Sequence, residues 1–240
     1  MLGKVHYAGF EVPENGWKVP VVSEFPESAE EFWQTYMMER RPVIFSGRGA
    51  SPPRDMVAED LGWAARERWT NDYMADKVGN ISVSVEKQLA NGVKRFGISS
   101  EHLQMPFFNF LDDAMGGISK GKGLPKSGKE GDLLPRDPDY VHYMNLQSGI
   151  ESAARAMGRP MSALSADIRV PHFILTTPLH AINLWLGNSP SGQKSQMHQD
   201  GSDNLYVVVK GRKTFNIFRL SASVVLPAFV THSFVVVHSL

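Results

Sequence analysis

The feature that most constrains the fold is the order in which two hydrophobic periodicities follow each other along the chain. Near the start, Phe32 with Tyr36 and Trp33 with Met37 fall at i,i+4 spacing, the signature of an amphipathic helix. Towards the end the repeat becomes two. Ile182 to Gly187, Leu205 to Val209 and Thr214 to Phe218 alternate, and Lys210-Gly211-Arg212 reads as a turn between the last two. Helices first and strands afterwards predict an α+β class, with helices packed on an antiparallel barrel or sandwich. At 240 residues and 42% hydrophobic content, the chain has material for a real core and too much for a disordered segment.

Local signals place the intervening elements. The Ser28 hydroxyl is suited to cap a helix, with Glu31 reaching back, and Arg41-Pro42 should end that helix. Val43-Ile44-Phe45 then reads as a short buried strand closed by Ser46-Gly47. Helical segments are expected from about Met56 to Arg68, from Asp72 to Lys77 before Gly79, around Phe107 to Leu111, from Ile150 to Met157, and from Met161 to Ile168. Ile81, Val83 and Val85 alternate with serines as a half-buried strand, and Tyr140 to Leu146 reads as another. Gly116 to Asp139, rich in Gly, Lys, Pro and Asp, reads as a surface loop. No solenoid-length repeat is present.

Composition excludes several chemistries. Without cysteine there is no disulfide, Cys-ligated zinc, iron–sulfur cluster or thiol nucleophile, so a metal would have to be held by His, Asp or Glu. Equal numbers of basic and acidic residues, 25 of each, lack the positive field of a dedicated nucleic-acid binder. There is no secretory h-region and no apolar run long enough to span a bilayer, so a protein of the cytoplasm or nucleus without a membrane partner is expected. Asn80-Ile81-Ser82 matches a glycosylation acceptor, but that export context is missing. Gly123 to Glu130 approaches a phosphate-binding loop, yet Glu130 stands where a magnesium-binding hydroxyl belongs and would repel phosphate.

His198-Gln199-Asp200, just before the Leu205 strand, is the pair with the most chemistry in it. In extended chain, i and i+2 face the same way, so imidazole and carboxylate can grip one metal ion, as two thirds of a 2-His-1-carboxylate triad. Spacing alone favours a surface polar pair. The surrounding blocks add context: Asn183-Leu184-Trp185-Leu186-Gly187-Asn188, Met197-His198-Gln199-Asp200, Asp203-Asn204-Leu205-Tyr206 and Lys210-Gly211-Arg212-Lys213-Thr214-Phe215. Together with Arg41 to Gly47, they resemble the Jumonji-C, cupin-like oxygenases, above all the small protein hydroxylases, over about Pro20 to Phe218.

That resemblance implies a double-stranded β-helix and an Fe(II)- and 2-oxoglutarate-dependent hydroxylation of a protein or peptide side chain. It implies His198 and Asp200 as iron ligands and Lys213 as the partner of the distal carboxylate of 2-oxoglutarate, a task that suits a flexible ammonium. Ser195 matches a hydroxyl directed at the same carboxylate. Tyr143 matches a pocket tyrosine, with core packing the other reading, and Asn204 a residue that orients the cosubstrate. Asn145 lies near a substrate-contacting position, and Trp185 reads most simply as core. Without the family match, Lys213 would be a solvated strand lysine, as Lys210 is expected to be.

The carboxy terminus departs from the pattern. The family's second histidine ligand comes from a later strand, whereas Arg219 is the last charged residue here and 21 uncharged ones follow in a chain that is 21% charged. His232 and His238 are the only histidines beyond the motif, in foreign surroundings. The expectation is therefore one domain over 1–240: a helical part to about 139, a β-rich core from about 140 to 218, and an atypical, β-prone tail over 219–240. A carboxy-terminally truncated, incomplete β-helix follows from that reading, and with it an alternative function as a non-catalytic binding module. Oligomeric state is not legible.

Overall fold

A computed structural model describes residues 18–45, 61, 63–89, 101–119, 139–146, 161–177, 179–187, 198, 200, 202–217 and 234–237. The chain divides into two compact units: Met1–Arg66 with Arg169–Pro178 and His198–Leu240, and Glu67–Ile168 with Leu179–Met197.

The first unit begins with β1 (Val21–Val22), then α1 (Ala29–Phe32), which runs into a π-helical turn over Trp33–Met37, and β2 (Val43–Phe45). Ser28 starts the helix as its sequence implies: its hydroxyl accepts the Glu31 amide at 3.1 Å. Glu31 reaches back one residue further than expected and accepts the Glu27 amide at 2.7 Å. The wide turn, closed by Met38 N donating to Trp33 O at 2.8 Å, accompanies an edge-on contact of Tyr36 with Phe45, ring centroids 5.7 Å apart. Phe32, Val43, Phe45 and Phe173 form the buried core, with Phe25, Leu205 and Val207 packed against it.

The second unit carries α3 (Asn71–Val78), β3 (Ser82–Leu89), β4 (Glu101–Pro106), α4 (Phe107–Ala114), β5 (Tyr140–Leu146), α5 (Met161–Leu164), a 3-10 turn over Ser165–Asp167, and β6 (Leu184–Gly187); α2 (Ala65–Arg68) spans the chain boundary between the units. Its sheet is antiparallel throughout, in the order β4-β3-β5-β6. Register puts Val83 opposite Met105 and Val85 opposite Met144, so these four buried residues share a face. Phe107, Phe110 and Leu111 of α4 are fully buried beside it. The opposite face carries the pairs Glu86–Tyr143 and Asn145–Trp185.

Three expectations change. The antiparallel arrangement holds for this second sheet only. In the first unit the order is β1-β2-β8-β7, with β7 (Asn204–Val207) and β8 (Phe234–Val237), and every pairing is parallel. Its strands are joined by long connections, such as the one through α1 between β1 and β2, and parallel pairing needs such crossovers. Second, the hairpin expected from Leu205–Val209 and Thr214–Phe218 does not form: residues 214–217 lie outside any strand, and β7 pairs with β8 instead. Third, the β-helix expected to be incomplete because the tail is atypical takes a strand from that tail, β8, between β2 and β7. Its Phe-Val-Val-Val run has the β-branched and aromatic character that a strand favours. The segment expected to be helical over 150–157, most of the 116–139 loop with its lysine-rich run, and His232 and His238 lie outside the described residues.

Candidate functional site

His198, Asp200, Asn204 and Lys213 all belong to the first unit. His198 and Asp200 sit in the segment that leads into β7, His198 exposed and Asp200 half-buried, with side chains 59% and 44% accessible. His198 Nε2 lies 3.8 Å from Asp200 Oδ1, so the same-face expectation for i and i+2 holds in space. Asp200 is not free to turn. Asn204, the first residue of β7, donates from Nδ2 to Asp200 Oδ2 at 2.7 Å, and this leaves Oδ1 for the histidine side. The sequence reading gave Asn204 to the cosubstrate; its observed partner is the carboxylate expected to hold the metal.

The donor set can be tested against a divalent iron ion. A neutral imidazole nitrogen and a carboxylate oxygen are two of the three donors of the facial triad. Two adjacent ligands with bonds of about 2.0–2.2 Å at a right angle stand about 3 Å apart, so the observed 3.8 Å needs only a small closure. Two positions therefore fit. Among the described residues no group of three or more His, Asp and Glu side chains gathers to complete a site.

Lys213 follows the turn after β7 and is half-buried. Gly211 makes that turn with φ at +90°, a conformation open to glycine and strained for other residues. The Lys213 ammonium stands 5.7 Å from the ring centroids of both Tyr206 and Phe215. Those two rings meet edge to face at 5.1 Å. No carboxylate among the described residues pairs with Lys213. Burial lowers its pKa, and burial likewise pushes the Tyr206 hydroxyl up to about 12. Lys210, by contrast, is exposed at the turn, as expected. The surroundings of Lys213 suit an anionic ligand, because a half-buried cation gains more from one than a fully hydrated cation does.

Tyr143 lies on β5 in the second unit, half-buried, on the same sheet face as Asn145 and Trp185. Ser195 lies outside the described residues. Sequence reasoning passed over Tyr206 and Phe215. The available signal was an aromatic residue two positions from each of Asn204 and Lys213, a spacing too common to single out.

A family model for a cupin-like domain matches residues 29–233. The chain is 27% identical over 221 residues to a protein named lysine-specific demethylase JMJ31 from Arabidopsis thaliana, covering 87% of this chain and 38% of the relative. It is 25% identical over 219 residues to JmjC domain-containing protein 4 from Schizosaccharomyces pombe, covering 88% and 41%. Over 195 residues it is 27% identical to the human bifunctional peptidase and (3S)-lysyl hydroxylase JMJD7, covering 79% and 51%. The chain thus spans about two fifths to one half of the length of these relatives.

Proposed function

The chain belongs to the cupin-like, JmjC-containing family, and on that premise we propose that it is an Fe(II)- and 2-oxoglutarate-dependent oxygenase that hydroxylates a protein or peptide side chain. The observation that carries the reading is the His198–Asp200 pair, two donors of the right kind 3.8 Å apart, with Asn204 holding the outer carboxylate oxygen. The relatives' names, a lysine demethylase and a lysyl hydroxylase, support a protein substrate.

In this reading His198 and Asp200 hold the metal. When bound, iron supplies the redox chemistry that couples conversion of 2-oxoglutarate and O2 into succinate and CO2 to insertion of one oxygen atom into a substrate C–H bond. The protein's own residues bind and orient. Asn204 keeps Asp200 Oδ1 turned towards His198. The Lys213 ammonium receives the distal carboxylate of 2-oxoglutarate as a charge-assisted hydrogen-bond donor.

The test is iron-dependent formation of succinate from 2-oxoglutarate by the 240-residue chain, with loss in His198→Ala and in Asp200→Ala. A second reading, a binding module without turnover, rests on the uncharged tail, where His232 and His238 are the only histidines beyond the His198–Asp200 pair. Retained 2-oxoglutarate and metal binding with succinate at background would select it.

A further inference from the structure

The surroundings of Lys213 point to a device within the cosubstrate site. We propose that Tyr206 and Phe215 act as positioning residues, an aromatic clamp that fixes the Lys213 ammonium in a half-buried, ligand-ready place for a dicarboxylate. The inference rests on the oxygenase reading for the identity of the ligand and on the observed geometry for the clamp itself.

Three contacts close a triangle. The ammonium is 5.7 Å from each ring centroid, within the range of about 6 Å over which a ring quadrupole attracts a cation. The rings pack edge to face on each other at 5.1 Å with an interplanar angle of 72°. A free lysine stem samples many rotamers, and ordering it on ligand binding costs up to about 2 kcal/mol. Two rings that already hold the head group lower that cost, so affinity is gained by preorganisation rather than by contact with the ligand. The rings also supply no negative charge. They hold the ammonium without neutralising it, as a carboxylate partner would, and leave it to an incoming anion.

The arrangement also accounts for the missing second strand of the expected hairpin. Residues 214–217 pair with no strand, while Phe215 is engaged by Tyr206 and Lys213. The alternation Lys213-Thr214-Phe215 serves a ring-and-cation cluster in place of a ladder.

The experiment titrates 2-oxoglutarate, and succinate as the product dicarboxylate, into the Mn(II)-loaded chain by calorimetry, and follows the Lys213 Hε protons by NMR in the metal-free chain, assigned with Lys213→Arg. Tyr206→Leu and Phe215→Leu should each weaken 2-oxoglutarate binding about tenfold, the upper part of what a cation–aromatic contact contributes. Both should remove the upfield ring-current shift of the Lys213 protons. Tyr206→Phe keeps the ring and should retain both the shift and most of the affinity. Should Tyr206→Leu fail to fold, Phe215→Leu against Tyr206→Phe gives the same contrast. Wild-type affinity in both leucine variants, or an unshifted Lys213 in the wild type, would overturn the clamp while leaving the oxygenase reading intact. If the wild type binds 2-oxoglutarate and Lys213→Met binds it equally, the ligand assignment fails, and a ring-current shift that persists would leave the clamp without this cosubstrate.

Discussion

Asp167 concentrates three donors on one carboxylate whose side chain is 1% accessible. Arg68 Nη1 donates to Oδ1 at 3.0 Å, and Trp69 Nε1 and the Tyr73 hydroxyl donate to Oδ2 at 3.1 and 2.7 Å. Burial alone would raise its pKa; the Tyr73, Trp69 and Arg68 hydrogen bonds outweigh that and hold it below its ordinary 3.8. Because the native pKa is depressed, this contribution to stability is fully present above the unfolded-state value and is lost as pH falls through the native one. Asp167→Asn should therefore lower the unfolding free energy from urea titration at pH 7, by about 2 kcal/mol for imperfectly satisfied buried donors, and flatten the acid limb below pH 4. Equal acid limbs in the two proteins would contradict it. None of this hub was legible in the chain, since its members are separated by 94 to 99 residues. His198 and Asp200 were legible because i,i+2 in extended chain fixes their common face locally. The partner of Asn204 was not, because an amide within four residues of a carboxylate commits to it only once the chain turns into β7.

At the scale of elements, local signals succeeded for single strands and helix ends. The strand β5 has the bounds expected of it, and α3 ends at Gly79 as its sequence implies. Gly79 adopts φ +64° and ψ −132°, and a Cβ there would meet nothing within 4 Å. Gly79→Ala should thus destabilise through backbone conformation rather than collision, by about 1–3 kcal/mol in denaturant unfolding. An unchanged midpoint would mean that the chain can leave this conformation without cost. The strand β4 escaped notice because it is a sheet edge: among its residues Met105 is buried while Glu101, His102 and Gln104 are exposed, a weak alternation. The tail was legible in part. Its uncharged composition marked it as odd, and its β-prone character appears in Phe234–Val237, which pairs with two strands, because β propensity is indifferent to the charge content of its neighbourhood.

At the scale of the whole molecule, the cupin-like match over residues 29–233 establishes the family, and no helix among the described residues is long and apolar enough to cross a membrane. Activity of the full-length relatives belongs to longer chains, of which the match covers 38% to 51%, so the chemistry of this one rests on its own donors. The central claim is that His198 and Asp200 hold a divalent metal with Asn204 as their orienting partner. It is tested most directly by calorimetric titration of Mn(II) into the wild type, His198→Ala, Asp200→Ala and Asn204→Ala, with circular dichroism confirming unchanged helix content. Binding should be saturable at one ion per chain in the wild type, absent in the first two variants, and weakened about 10- to 100-fold in Asn204→Ala, as for other partners of metal ligands. Equal affinity in all four proteins would contradict it.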